Sequence, residues 1–462
     1  MKFNIIAPAL ISACWLIGTA CQENEYGVVD LTLPDKSTTV EASYSYPHPC
    51  AMWSQADFTR VKTALDNGTA PAEVTAELQA LKNSAYTAKS YTASPLEWIV
   101  RGDATGLTPD NKENYAAAMR DAAAAYQMAL LWKLTGDDGY AATAVKVLND
   151  WVRVCKGITS NDQNQVLAAG AQGYTFANAG EILRDYSGWT ASEFDAFKTW
   201  MKNVFASKNY TFMTTHAGTC DDHYWSNWDL VNMCSYLSIG ILTEDDDMVN
   251  YVVNYFYSGN GNGCIENLIQ AFHTDPLGSG ETLGQNQESG RDQGHAQMSA
   301  AVTANLCQIA YTLSQSNPEV PQLDFFAAND NAILKMAEYV ALCNLRQGSD
   351  QANAQGLWLI NADRVPFKEY SYCEDCSCRD KNHGQHHTAM AEDKARGNLR
   401  TGWEIILNHY AKVKGLSSGY KYSKMAADKM RPEGGPDGTS RYGTTSGAFD
   451  QLGWGTLMMY RQ

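Results

Sequence analysis

In YAATAVKVLNDWV, Tyr140, Ala144, Val147, Leu148 and Trp151 recur at three- and four-residue spacing, so one apolar stripe runs along a helix. Just before it, NYAAAMRDAAAAYQMALLWKLTGDD is rich in alanine and closes on Gly136 and two aspartates, and the two segments together predict a helical hairpin. The alternation recurs in NQVLAAGAQGYTFANAGEILRDY followed by TASEFDAFKTWMKNVF, where Thr190 and Glu193 form a capping box. It recurs again in WDLVNMCSYLSIGIL followed by DDDMVNYVVNYFY, and further helices fit residues 292–313, 330–345, 400–413 and 420–429. One member of each pair tends to be rich in Ala and Gly and the other amphipathic, as expected of a crowded inner ring and a solvent-facing outer one. Hairpins that cannot bury their faces alone must stack, and without a strict repeat period a closed ring is expected rather than an open solenoid. The last fifty residues, with RPEGGPDGTSRYGTTSGAF, read as loops over one mouth of that ring.

The N-terminus departs from this pattern. Lys2, an apolar run from Phe3 to Ile17 and GTAC ending at Cys21 match a bacterial lipoprotein signal, with Gly18 where leucine is usual. Residues 22–45, polar and containing STTVEASYSY, read as a flexible tether, which leaves residues 46–462 as a single folded domain. The expectation is export, with a lipid anchor at Cys21 as the only membrane contact, at the periplasmic face or cell surface of the outer membrane. Nothing in the chain approaches the ~20 apolar residues of a spanning helix. A net charge of −16 argues against a nucleic-acid partner, and any acidic ligand requires a local cationic pocket.

Of twelve cysteines, Cys14 and Cys21 fall in the signal, which leaves ten. Cys155, Cys234, Cys307 and Cys343 sit in apolar helical runs and are expected as buried thiols. CEDCSC supplies Cys373, Cys376 and Cys378 near His383, read as local disulfide pairing rather than a zinc site.

Two predicted helix starts carry more polar chemistry than capping needs. In CDDHYWSNWD, His223 and Asn227 are four apart and share a face if the helix has begun by then; in ETLGQNQESGRDQGHAQ, so are Arg291 and His295, preceded by Gln285, Asn286, Gln287 and Glu288. If both helices are inner ones, the two faces converge. Such a set suits elimination across C4 and C5 of a uronic acid, in which the carboxylate is neutralised, a base removes the C5 proton and an acid protonates the leaving oxygen. Asn227, Gln287 and Arg291 fit the neutralising role and His223 or His295 the base. Each has a structural reading too: capped or satisfied histidines, an ion pair of Arg291 with Glu288 or Asp292, a packing asparagine. KNHGQHH, with His383, His386 and His387, reads as a solvated loop.

The segments HPC…MWSQADFTRVK, LTGDDGYAATAVKVLNDW, SNWDLVNM…IGIL, ESGRDQGHAQ and GWEIILNHY…RPEGG…FDQLGWGTL resemble the alginate lyase superfamily of polysaccharide lyases, most closely polysaccharide lyase family 38. The resemblance covers roughly residues 46–460. It implies an all-α (α/α) toroid, an incomplete double-helical barrel of stacked hairpins, acting on alginate or glucuronan with Asn, His, Arg and Tyr and no cofactor or metal. Asn227 matches the neutralising asparagine. The better-known relatives follow it with histidine where this chain has Trp228, and place a tyrosine where it has Gly294. The base is then His295 or His223, and Tyr370, ahead of Tyr372 and Tyr442, is the candidate acid; Gln287, Trp225 and Tyr442 are expected to bind substrate. The competing expectations are a glycoside hydrolase using Asp229 with Glu288 or Glu404, and a glycan-binding lipoprotein without catalysis.

Overall fold

The computed structural model describes residues 39–347, 357–371, 373, 386–436 and 446–461. Helices α1 (Gln55–Asp66) and α2 (Ala72–Asn83) precede the short strand β1 (Trp98–Val100) and the hairpin of α3 (Ala116–Thr135) with α4 (Asp138–Val154). Strand β2 (Gly157–Thr159) pairs parallel to β1 and leads to α5 (Gln165–Leu183), α6 (Ala191–Met201) and α7 (Ser207–Thr215). Next come α8 (Ser226–Thr243), α9 (Asp246–Ser258) and the single turn α10 (Ile265–Leu268). An antiparallel hairpin of β3 (Ile269–Thr274) and β4 (Thr282–Asn286) then feeds the long helix α11 (Gln293–Ser314). The chain continues through α12 (Ala328–Asn344), the two-residue ladder of β5 (Tyr370–Ser371) with β6 (His386–His387), α13 (Trp403–Asn408), α14 (Lys421–Met430) and α15 (Gly455–Met458).

Helices α3, α5, α8 and α11 stand side by side as an inner ring, α13 continues it beside α11, and α4, α6, α7 and α9 pack outside. The expected division of labour holds: every residue of α5 from Ala168 to Leu183 is buried, whereas α4 and α9 bury one stripe. Small residues set the inner spacing. A Cβ on Gly170 would lie 2.5 Å from Val231, and one on Gly173 2.1 Å from Ser235 Oγ, so α5 and α8 touch almost backbone to backbone. Thr190 and Glu193 form the anticipated capping box. The hairpin β3–β4 was not expected; its strand TLGQN was read as part of the approach to a helix.

Residues 39–45 were expected as the end of the tether, yet they lie extended along α9. Asp246, Asn250 and Asn254, one helical turn apart, meet Tyr44, Ala42 and Val40. Asn250 and Asn254 each accept the backbone N–H and donate to the C=O of their partner, at 2.7–3.1 Å. Four helical residues rise roughly 6 Å, nearly the advance of two extended residues, so the two periods stay in register. The folded unit therefore begins before residue 46.

The last helix returns to the first two, since α15 touches α1, α2 and α13. Arg60 donates to the carbonyls of Tyr460 and Met458, both at 2.8 Å, and Glu77, wholly buried, accepts the backbone N–H groups of Gly434 and Leu457. Glu433 takes the N–H groups of Gly402, Trp403 and Glu404 at the start of α13, and Glu338 those of Tyr422 and Ser423 at the start of α14. Buried glutamates thus do from a distance what side-chain caps do locally.

Burial, opposed by these N–H bonds, pushes the carboxyls of Glu77 and Glu433 up to about 8. Between the ordinary glutamate value of about 4.3 and that value, the folded chain holds protons that the unfolded chain releases. The stability they supply is complete in mild acid and lost as the pH rises through 8. The thermal midpoint is expected to fall on titration from about pH 5 to about pH 9, and Glu77→Gln with Glu433→Gln to flatten that slope. A wild-type midpoint that climbs across the interval, followed by calorimetry, would contradict this.

Candidate active site

Helix α8 begins at Ser226 after an extended N-cap, Trp225, whose side chain caps nothing. Asn227 is therefore in its first turn, and His223 precedes the helix instead of sharing a face with Asn227. Helix α11 begins at Gln293, capped by Asp292, and the turn 287–292 that leads into it comes straight off β4. The cap missing from α8 is supplied by this turn: Gln287 Oε1 accepts the N–H of Ser226 at 3.1 Å and Glu288 Oε1 that of Asn227 at 3.3 Å.

Glu288 is wholly buried and joins the two helix starts. Its Oε1 accepts the amide N–H of Asn227 at 2.5 Å, and its Oε2 accepts Arg291 Nη1 at 3.0 Å. The Arg291 guanidinium also lies over the Trp225 ring at 4.7 Å, which fixes its plane. One carboxylate thus holds both the amide of Asn227 and the fork of Arg291.

His295 stands beside it. Asp292 Oδ2 accepts the ring Nδ1–H at 2.6 Å while its Oδ1 accepts the His295 backbone N–H at 2.8 Å. Burial works against ionisation of Asp292, but these bonds and the nearby Arg291 outweigh it and hold the carboxyl down at about 2. With Nδ1 committed, the neutral ring carries its lone pair on Nε2, which lies 3.5 Å from Arg291 Nη2. The side chain is 39% exposed, more than any other in the cluster with Glu288, Arg291 and Asp292. This is the geometry of an oriented base next to a cation.

Tyr370 comes to the same place in a different role from the one expected. Its phenol donates to the Gln287 carbonyl and accepts the N–H of Gly290 at 3.3 Å, and burial pushes it well above the ordinary tyrosine range. It holds the turn 287–290. His387, expected in a solvated loop, is instead buried, its ring 5.1 Å from Tyr370 and 5.6 Å from Trp225, and burial pushes it below the ordinary histidine value. Only glycine fits beneath it, because a Cβ on Gly290 would lie 2.6 Å from His387 Cβ. Sequence reading missed this histidine, since spacing gives no sign that β6 folds back onto the turn.

Gln287, expected to touch substrate, caps α8 and is wholly buried, and Trp225 is a buried platform under Arg291. Trp228 turns outward onto Tyr224 and Phe212. His223 packs on Tyr224, with Nδ1 3.4 Å from Cys373 Sγ. That sulfur is 3.8 Å from Cys220 Sγ, beyond bonding distance, and Cys220 is itself disulfide-bonded, a pairing not anticipated. Cys155, Cys234, Cys307 and Cys343 are buried thiols as expected. His386 is exposed and bonds Ser371. Tyr372, Cys376, Cys378, His383 and Tyr442 lie outside the described residues. Among the described residues, His48, Cys50 and Glu181 form one group with metal-ligand chemistry; Cys220, Asp222 and Cys373 also converge, but the disulfide takes the Cys220 sulfur out of such a set, and neither group includes a member of the Glu288 cluster.

The carboxylates considered for hydrolysis are all engaged inside the protein. Asp229 accepts from Tyr255 and Gly263, Glu404 from Arg431 and Asn408, and Glu288 from the clamp. An acid and base flanking a glycosidic bond need two carboxyls open to the cleft.

The profile of the alginate lyase family matches residues 67–343. No curated protein matches the chain. Among solved structures, the chain is similar to the apo form of a histidine-to-alanine variant of alginate lyase A1-III, at 13% identity and a TM-score of 0.53 over 91% of this chain and 98% of that one. It is also similar to an alginate lyase from Bacteroides ovatus, at 13% identity and a TM-score of 0.48 over 84% of this chain and 98% of that one. Another variant of A1-III, an enzyme of Sphingomonas species A1, is seen complexed with a tetrasaccharide; it shares 15% identity at a TM-score of 0.45 over 65% of this chain and 78% of that one. The A1-III apo structure supports the (α/α) toroid at the level of the fold.

The Gly290 contact can be tested directly. Gly290→Ala should push β6 off the turn and cost roughly 1–3 kcal/mol by overpacking. The His387 ring resonances in an NMR spectrum should move as well. An unchanged midpoint with unmoved resonances would show that the contact is slack.

Proposed function

The chain belongs to the alginate lyase family of polysaccharide lyases, and from that premise we propose that it cleaves a polyuronate by β-elimination with His295 as base and Arg291 with Asn227 as the carboxylate clamp. The observation that carries this is Glu288 between Asn227 and Arg291, beside the Asp292–His295 pair. Arg291 meets the uronate carboxylate. Asn227, one hydrogen of its amide held by Glu288, offers the second N–H to the carboxylate, whose negative charge grows as C5 loses its proton. Positive charge aimed at the developing enediolate makes that proton removable.

Nε2 of His295 takes the C5 proton, the C5–H electrons form the C4–C5 double bond, and the C4–O bond breaks. The departing oxygen needs a proton. With the Tyr370 phenol committed to the backbone, the imidazolium just formed returns it, which requires the C5 hydrogen and C4 oxygen on one face of the sugar. Mannuronate and glucuronate satisfy that, and guluronate does not. Polymannuronate is therefore the proposed substrate, with glucuronan, which differs at C2, as the second. The signal-like start of the chain extends the proposal to an exported enzyme anchored through Cys21, which Cys21→Ser should release from the membrane fraction.

Incubation with polymannuronate, glucuronan and polyguluronate should give ultraviolet absorbance from the conjugated double bond with the first two and little with the third. New reducing ends without that absorbance would mean hydrolysis and sink the reading. Arg291→Lys and Asn227→Ala should each lower kcat/KM by about 100- to 1,000-fold, and His295→Ala by about 100- to 10,000-fold. Tyr370→Phe should retain most of kcat. Abolished turnover in a folded Tyr370→Phe variant would return that residue to the role of acid.

A further inference from the structure

A cavity of about 370 Å³ lies at the other end of α11 from His295, between the start of α1, the C-terminal end of α11 and Arg461. Along α11, thirteen residues separate His295 from Gln308, which at 1.5 Å per residue puts the two sites roughly 20 Å apart. The cavity falls in the size range of pockets that hold small ligands, roughly 300–1,000 Å³.

Its lining is unfinished in a specific way. Gln308 is 2% exposed; its amide nitrogen bonds Thr312, while Oε1 has no partner although buried. Arg461 Nη1 is likewise buried without a partner, and the guanidinium reaches Asp57 only at 3.9 Å. Asp57 is already held by Arg60 at 2.6 Å, so two arginines face one carboxylate and the pocket is locally cationic in a chain of net charge −16. Tyr311 adds an aromatic wall: in α11 it is, with His295 and Ser314, one of the few residues not buried. A buried acceptor, a cationic donor and a ring face are the groups that bind hydroxyls, a carboxylate and the apolar side of a pyranose.

We infer that this pocket is a second, non-catalytic binding site for an acidic sugar, with Arg461 on the carboxylate, Gln308 Oε1 on a hydroxyl and Tyr311 under the ring. The choice of a uronide as ligand rests on the proposed function; the site itself rests on the lining. It would hold a saturated chain end or product at a distance from the clamp.

The test is ligand-observed NMR and titration calorimetry with saturated mannuronate trisaccharide on the full chain carrying His295→Ala, so that the probe survives. Two sites are expected. Arg461→Met, and separately Ala56→Trp, which fills the mouth from an exposed position on α1, should each remove one site and leave the other. In the His295 background, those same two substitutions should leave initial elimination rates on short oligomers within about twofold. One site in all variants, or equal displacement by inorganic sulfate and by a neutral mannose trisaccharide, would overturn the inference. If no uronate polymer is cleaved yet Arg461-dependent uronide binding persists, the proposed reaction fails and the second site stands.

Discussion

A single buried carboxylate sets the geometry of the whole cluster. Glu288 sits between two helix starts and 61 residues from Asn227 in the chain, taking the amide of Asn227 on one oxygen and the guanidinium of Arg291 on the other. Out of water, a carboxylate is stable only with its partners in place, and its partners are stable only with it. The result is a three-member unit with little freedom: moving α8 relative to α11 breaks a charge-assisted bond. The same turn caps α8, so the element that positions the chemistry also completes the helix on which the chemistry stands.

The rest of the fold repeats this device. Glu77, Glu338 and Glu433 each collect backbone N–H groups from chain far away, and each ties a late segment to an earlier helix. The ladder of Asp246, Asn250 and Asn254 does so with one carboxylate and two amides along residues 40–44. Glycines at 170 and 173 bring α5 and α8 together. Close inner packing leaves no slack for helix shifts, so polar groups at the ends can be placed accurately.

Helices and their inner or outer standing were legible because the signal is periodic and local: an alanine- and glycine-rich run cannot face water along its length, and a stripe such as Tyr140 to Trp151 can bury only one side. Convergence of Asn227 and Arg291 followed from reading both as helix starts of one ring, and the structure joins them. His223 failed because its four-residue spacing to Asn227 counts only inside a helix, and α8 begins three residues after it. Arg291 met His295 although it too precedes its helix, because the Asp292 cap folds it back. Tyr370 and His387 were beyond pattern reading. Their positions depend on a two-residue ladder that no periodicity announces.

Trp228 has a consequence for how the helix is oriented. Successive residues on a helix point about 100° apart, so seating Asn227 in the clamp obliges its neighbour to face away, and here that neighbour is a broad indole wedged against Phe212 and Tyr224. The wedge acts as an angular stop. Any twist of α8 about its own axis would have to drag the indole out of its slot before the amide could leave the carboxylate.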